Sequence, residues 1–311
     1  MKDKILIVGA GIIDVLVQPV KADVFEKGSV PVENISITTG GDALNEATIL
    51  ARLGKKPLLV SLVGKDQAGT MVLDHCDKEG ISTKYVTRDD TIPTGVNVVM
   101  VQEDGSRNFF TNPSGSLRKL SLDHIPSSFP EDVGILCFAS IFVSPMLDGK
   151  GLQVVFARAK DQGMIVCADM TKCKNQETVR DIHKALSMVD YLFANEEEAQ
   201  LVTGADTPES MAQLFLDCGV KNVIIKRGGK GCYFRSQEGE AHIPAIPASV
   251  CVDTTGAGDA FAAGFLCALS ENRDLSECIR WANACGSLTV ETVGAVTGIK
   301  NREQVEARIC E

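Results

Sequence analysis

Asp253-Thr254-Thr255-Gly256-Ala257-Gly258-Asp259 sets two acids around a turn of small residues, and the apolar segment Ala260–Leu266 follows at once. Glycines let a backbone approach a ligand with no Cβ in the way. A helix start offers unpaired N–H groups and the positive end of the dipole, which suits a phosphate. An Asp in such a place repels phosphate, so its use is to take a proton from an attacking hydroxyl. The chemistry this spells is phosphoryl transfer to an alcohol.

Other polar groups fall at the ends of apolar runs. Asp14 follows the run Ile5–Ile13 and reads as a carboxylate for a substrate hydroxyl, or as a turn-forming Asp. Gly40, Gly41 and Asn45 stand at a helix start, where Asn45 offers a donor and an acceptor one turn beyond Gly41; that suits a polyol. The bland alternative is a glycine turn with Asp42 as N-cap. Asn195 to Glu198 could cap a helix or hold water-coordinated Mg²⁺ beside phosphates. Lys226, Gly228 and Gly231 could border a nucleotide, or form a hairpin with a surface lysine. Gly64-Lys65-Asp66-Gln67-Ala68-Gly69-Thr70 lacks the lysine of a P-loop, and Gly9-Ala10-Gly11 lacks the third glycine of a dinucleotide fingerprint.

The elements that must carry these groups alternate. Strands are expected at Ile5–Val8, Leu58–Val63, Ile135–Phe138, Met164–Ala168, Tyr191–Phe193 and Val223–Lys226. Helices are expected at Ala43–Leu53, Ala68–Lys78, Leu152–Lys160, Thr178–Met188, Ala260–Leu269 and Leu275–Glu291. Such alternation implies a parallel sheet covered by crossover helices. Two stretches interrupt it. Val15–Thr39 contains Pro19, Gly28 and Pro31, and Thr94–Phe110 alternates like paired strands around an Asp104-Gly105 turn. Both read as a small β flap over a cleft at the strand ends.

Bulk properties narrow the partners. The 311 residues carry a formal net charge of -10, which disfavours nucleic acid and anionic membranes as partners. The first apolar run is too short to span a bilayer. The 11 cysteines are scattered without a C-x-x-C pair, and the four histidines have no metal spacing. Buried thiols in a reducing compartment, and hence a cytoplasmic protein, are expected.

Taken in order, the motifs resemble those of the ribokinase-like, phosphofructokinase-B type carbohydrate kinases over essentially the whole length. Gly-Gly-x-x-x-x-Asn is Gly40, Gly41 and Asn45; V-G-x-D-x-x-G runs from Val63 to Gly69; N-x-x-E is Asn195 to Glu198; G-x-x-G is Gly228 to Gly231; and D-T-x-G-A-G-D is Asp253 to Asp259. The resemblance implies one three-layer α/β/α domain spanning 1–311, with a mostly parallel central sheet and a β lid from about 15–39 and 94–111. It implies a kinase using ATP and Mg²⁺ on a small sugar or sugar derivative. Asp259 would be the base, with Gly256, Ala257 and Gly258 as anion hole. Asp14, Gly40, Gly41, Asn45 and Asp259 would bind the sugar. Asn195, Lys226, Gly228, Gly231, Gly258 and Asn283 would surround the nucleotide, and Glu198 would act on Mg²⁺ through water. Asp253, Thr255, Thr289, Thr292 and Gly294 match the region where related proteins hold a monovalent cation such as K⁺. The resemblance also implies a homodimer formed through the lid.

Against that pattern, Ala139, Ser140 and Ile141 stand where ribose enzymes place an acid, so ribose itself is disfavoured. Arg107, Asn108 and Phe110 of the flap could tune substrate choice toward a larger or acidic sugar. A nucleoside kinase of the same superfamily, or a non-catalytic sugar-binding regulator on the same fold, are the alternative readings. A dinucleotide-dependent oxidoreductase rests on Gly9 and Gly11 alone.

Overall fold

The computed structural model describes residues 2–102 and 106–310. Strand β1 (Lys4–Val8) is followed by β2 (Ile12–Gln18), β3 (Asn34–Gly40), α1 (Asp42–Arg52), β4 (Leu58–Gly64), α2 (Gln67–Glu79) and β5 (Ser82–Asp89). Next come β6 (Val96–Val101), β7 (Arg107–Thr111), β8 (Val133–Ile141), α3 (Gly149–Asp161), β9 (Ile165–Met170), α4 (Val179–Leu186) and β10 (Tyr191–Asn195). The chain continues through α5 (Glu196–Thr203), α6 (Pro208–Asp217), β11 (Asn222–Lys226), β12 (Cys232–Ser236) and β13 (Glu240–Ile243). It closes with α7 (Ala257–Ser270), α8 (Leu275–Thr289) and α9 (Arg302–Cys310).

Nine strands form the main sheet in the order β13-β12-β11-β10-β9-β8-β1-β4-β5. From β5 to β11 the neighbours run parallel, and only β12 and β13 are antiparallel. Each expected strand and helix is present, its ends extended or trimmed by one to three residues. Strand alternation divides the core in two. Ile5 and Ile7 pack with α1, α2, α7 and α8, whereas Leu6 and Val8 pack with α3, α4 and α6. That makes three layers, each face of the sheet being apolar enough to bury.

Strands β5 and β13 and helices α6 and α9 were not expected from sequence, and α5 and β12 were expected only through the helix-cap and hairpin alternatives. β5 has mixed polarity (Ser82-Thr83-Lys84-Tyr85) because it is an edge strand, and α9 has almost no apolar face.

The flap is a separate four-stranded sheet, ordered β3-β2-β6-β7. It begins at Ile12, before the expected Val15, because β2 leaves β1 after only three residues. The antiparallel pair β6–β7 agrees with the hairpin pattern, while Asp104 and Gly105 lie outside the described residues. The Val63–Gly69 motif anchors this lid. Asp66 caps α2 by accepting from Gly69 N at 2.8 Å, and takes Thr94 N at 2.8 Å and Thr94 Oγ1 at 2.6 Å, where the chain re-enters the lid.

Helix α7 carries the Asp253–Asp259 motif at its start and sits deep in the fold. Phe265 lies 5.1 Å from the ring centroids of both Phe193 and Tyr191. On its other side Gly264 meets α8 so closely that a Cβ would stand 2.7 Å from Trp281 O and 2.8 Å from Cys285 Sγ. Gly264→Ala therefore lowers stability by about 1–3 kcal/mol, the usual cost of overpacking, despite alanine's better helix propensity. Urea unfolding of the variant checks the sign.

Candidate active site

The start of α7 is built on Gly256, which takes a left-handed conformation at φ 73°. A Cβ there would fall 2.4 Å from Ala295 O, so no other residue fits this turn. No side chain caps the helix, and Ala257 and Gly258 face a cavity of about 620 Å³. First-turn amides without a side-chain partner are anion donors. One turn in, Asp259 Oδ2 accepts a hydrogen bond from Asn45 Nδ2 at 2.7 Å. Asn45 projects from the first turn of α1, so the two helix starts converge on one carboxylate.

That carboxylate is one of several. Asp42, Asp169, Glu198 and Asp259 all line the same cavity, with Lys226 between them. Burial, and then the charge of Asp42, drive the Asp259 pKa well above the usual carboxylate range, while Asn45 pulls the other way. Burial raises Asp42 as well, opposed by the Ser140 hydroxyl that donates to it. Lys226 Nζ lies 2.8 and 2.6 Å from the two oxygens of Asp169. Burial pushes Asp169 up to about 7 against that pull. Burial would also discharge Lys226, but Asp169, Glu198 and Asp259 outweigh it and hold the ammonium above the ordinary lysine range. At such distances the pair stays ionised.

Beneath the cavity, Glu46 of α1 is fully buried. Neither of its carboxyl oxygens makes a hydrogen bond of good geometry, although the Cys137 thiol lies beside it. Burial, followed by the charges of Asp169 and Asp259, raises its pKa well above the usual glutamate value. Burial thus favours the neutral form of Glu46 in the folded protein.

At the lid end, Asp14 of β2 pairs in register with Asn97 of β6, whose Nδ2 donates to Asp14 Oδ1 at 3.1 Å. Gly40 leaves room for it, since a Cβ there would stand 1.9 Å from Asp14 Oδ2. Burial raises the Asp14 pKa, and the nearby Asp42 adds to the effect. The expected alternative of an Asp42 N-cap is corrected here. Gly41 is the N-cap of α1, and Asp42 spends its carboxylate on Ser140 across from β8.

At the opposite end, Asn195, Glu198, Lys226, Gly228, Gly231, Gly258 and Asn283 all line the cavity, as the sequence grouped them. Asn195 does cap α5. Its side chain accepts from Glu198 N at 2.8 Å while Glu198 Oε2 accepts from Asn195 N at 2.9 Å. Gly228 to Gly231 is also a hairpin turn between β11 and β12, but its lysine, Lys226, is largely withdrawn from the surface, its side chain 13% exposed. Asp253 accepts from Thr255 N and Thr255 Oγ1, both at 2.8 Å, from Gly294 N at 2.9 Å, and from Arg107 of the lid. Thr289 Oγ1 turns back to Cys285 O at 2.9 Å, and Thr292 Oγ1 bonds Thr297 Oγ1 at 2.9 Å.

Sequence reasoning missed Asp169, Glu46 and Asn97 and misjudged Asp42. Asp169 was legible as the acid ending the apolar run Ile165–Ala168. Asn97 becomes visible only once β6 is known to pair with β2.

A mostly parallel sheet, a cavity at its C-terminal edge, an uncapped helix start beside a half-buried acid and a β lid define a ribokinase-like small-molecule kinase. The pfkB family carbohydrate kinase profile matches residues 2–302, and the chain belongs to that family. The structure of Arabidopsis thaliana ribokinase complexed with ribose and ATP superposes with a TM-score of 0.83 at 27% identity, covering 98% of each chain. A ribokinase from Haemophilus influenzae is 29% identical over 277 residues, covering 88% of this chain and 87% of that protein. A 2-dehydro-3-deoxygluconokinase from Bacillus subtilis is 29% identical over 284 residues, with 88% and 87% covered. The enzyme class is carbohydrate kinase, and the non-catalytic and oxidoreductase readings fall away.

The neutral Glu46 has a pH signature. Below the unfolded-state pKa both states hold its proton and it costs nothing. Above it the unfolded chain ionises first, and stability falls by up to about 1.4 kcal/mol per pH unit until the folded pKa is reached. Glu46→Gln removes this dependence. Its gain in melting temperature over the parent is therefore larger at pH 8 than at pH 5, measured by thermal unfolding at both.

Proposed function

We propose that this kinase transfers the γ-phosphoryl group of ATP to a hydroxyl of a small sugar or sugar derivative, with Asp259 as general base. The observation that carries the proposal is the half-buried Asp259 carboxylate, held by Asn45 at 2.7 Å beside the uncapped start of α7. The sugar lies between the lid and the strand ends, with Asp14, Gly41 and Asn45 as its polar contacts. The nucleotide lies along Asn195, Lys226, Gly228, Gly231 and Asn283. The sugar's attacking hydroxyl gives its proton to Asp259 as its oxygen attacks the γ-phosphorus of the nucleotide, and the bond from that phosphorus to the bridging oxygen breaks to release ADP. The amides around Gly256, Ala257 and Gly258 take the charge on the transferred group. The high proton affinity that burial and Asp42 give Asp259 makes it a strong acceptor.

Glu198 and Asn195 would hold Mg²⁺ through water. One Glu198 oxygen is engaged in the helix cap, and the acidic wall suits a hydrated cation. When bound, Mg²⁺ neutralises phosphate charge. Lys226 balances the acids on the protein's side and keeps the turn of α7 from repelling the incoming nucleotide. Lid closure excludes water and suppresses ATP hydrolysis.

The lid also supports a homodimer. Its outward face is apolar across all four strands: Ile35 and Ile37, then Val15 and Val17, then Val98 and Met100, then Phe110. Ile35, Ile37 and Phe110 are 65%, 58% and 53% exposed. Apolar sheet faces of this kind are interaction surfaces. A cytoplasmic location accords with 11 free cysteines and with the absence, among the described residues, of a helix long and apolar enough to cross a membrane.

Release of ADP, screened over pentoses, hexoses, keto-deoxy acids and nucleosides with ATP and Mg²⁺, identifies the acceptor. On that acceptor Asp259→Asn lowers kcat by roughly 10²–10⁴-fold, the usual worth of a general base. The parent's rate rises with pH through a pKa above the ordinary carboxylate range. A variant retaining rates within about tenfold removes Asp259 from the role of base. Light scattering on the eluting protein gives the dimer mass for the parent, and Ile35→Lys with Ile37→Lys gives the monomer.

A further inference from the structure

Residues 244–251 follow β13, and Ala245, Ile246, Pro247 and Ala248 among them line the nucleotide end of the cavity. The stretch belongs to no helix or strand and carries no charged side chain. Its prolines, Pro244 and Pro247, have no N–H to donate. Its start presses on Gly231, where a Cβ would stand 2.0 Å from Ile243 O and 2.5 Å from Ala245 N. Irregular backbone of this kind must find its hydrogen bonds outside itself.

The last two helices supply them. On α8, Asn283 Nδ2 donates to Pro244 O at 3.4 Å and Ser287 Oγ donates to Pro247 O at 3.1 Å. Glu291, just beyond α8, accepts from Ser249 N at 2.7 Å. Arg308 of α9 stands behind both. Its Nη1 donates to Ser287 Oγ at 2.6 Å and reaches Pro247 O at 3.5 Å. Its Nη2 lies 3.0 and 3.2 Å from the two oxygens of Glu291. The two side chains are 8% and 19% exposed, so this is an ion pair largely withdrawn from water. One guanidinium thus reaches the loop by two routes, through Ser287 to Pro247 and through Glu291 to Ser249. A planar fork can serve two partners at fixed angles, which a lysine ammonium cannot. Neither Arg308 nor Glu291 lines the cavity itself.

Resting on the phosphoryl-transfer reading above, we propose that Arg308 and Glu291 are positioning residues for the nucleotide. They hold the loop 244–251 in the shape that receives ATP, and they act on nucleotide affinity and not on the transfer step. The C-terminal helix is in this way part of the nucleotide site without touching the ligand.

The test compares the full-length parent with Arg308→Met, Arg308→Lys and Glu291→Gln, and uses Arg302→Met as control. Arg302 is on the same helix, but its guanidinium is taken up by Glu271, Glu306 and the Trp281 ring, so its loss loosens α9 without touching the loop. Glu291→Gln keeps an oxygen for Ser249 N and removes only the charge that Arg308 meets, so it reads the clamp even where Arg308→Met fails to fold. Calorimetry with ADP and Mg²⁺, in the absence of sugar, gives the nucleotide Kd. Arg308→Met raises it by roughly tenfold, the scale of one lost hydrogen bond to a charged group, and Arg302→Met leaves it within about twofold of the parent. Arg308→Lys and Glu291→Gln fall between. In turnover, Arg308→Met raises the KM for ATP by a similar factor while kcat and the KM for the sugar stay near the parent's. Parental ADP affinity in the folded Arg308 and Glu291 variants overturns the proposal. An equal loss in Arg302→Met does so as well, because α9 then acts only by docking. A parent that binds no ADP overturns this proposal together with the reading beneath it. A parent that binds ADP yet phosphorylates no sugar overturns only that reading, and the clamp is still decided by the Kd values.

Discussion

The crowding of carboxylates around one lysine is the constraint on which the rest of this molecule turns. Asp42, Asp169, Glu198 and Asp259 share a cavity with Lys226, and Glu46 lies under them. Like charges brought together in a low-dielectric place raise one another's pKa, and burial adds to the effect. Such a cluster would be unstable if every acid were ionised. The structure meets this in two ways: Glu46 and Asp259 favour their protons, and Lys226 remains charged against Asp169. The arrangement is poised for a ligand that brings cations of its own and offers Asp259 a proton.

The fold makes the crowding physically tolerable. Asp169, Asn195 and Lys226 stand at or near the C-terminal ends of adjacent parallel strands β9, β10 and β11. Asp42, Asn45 and Asp259 come from the starts of α1 and α7, whose dipoles favour negative charge. The depth of α7 is set by Phe265 on Phe193 and by Gly264 against α8. The position of the acid is thereby a matter of core packing as much as of loop geometry.

Much of this was legible in the sequence, for stated reasons. Parallel strands buried on both faces read as apolar runs, and six of them were found by that mark alone. The Asp253–Asp259 turn was legible because glycine and alanine in that order have few other uses. Edge strands were not: β5 and β13 mix polar and apolar residues because one side of each meets solvent. The partners of a side chain were the least accessible. Nothing in the order of residues says that Asp42 turns to Ser140, that Asn97 lies opposite Asp14, or that Arg107 reaches Asp253 from 146 positions away.

The lid enters the fold as a sheet of its own, with its own hydrogen-bond ladder and its own register. Its polar residues Asp14 and Asn97 bond to each other across β2 and β6, and their link to the helix starts below is the charge of Asp42 rather than a hydrogen bond. Descent with modification can therefore work on the two parts at different speeds. Residues on the inner face of the lid can be exchanged, and the repertoire of accepted molecules redrawn, while the floor beneath is inherited unchanged. The roof of the site can thus change shape while the floor keeps its geometry.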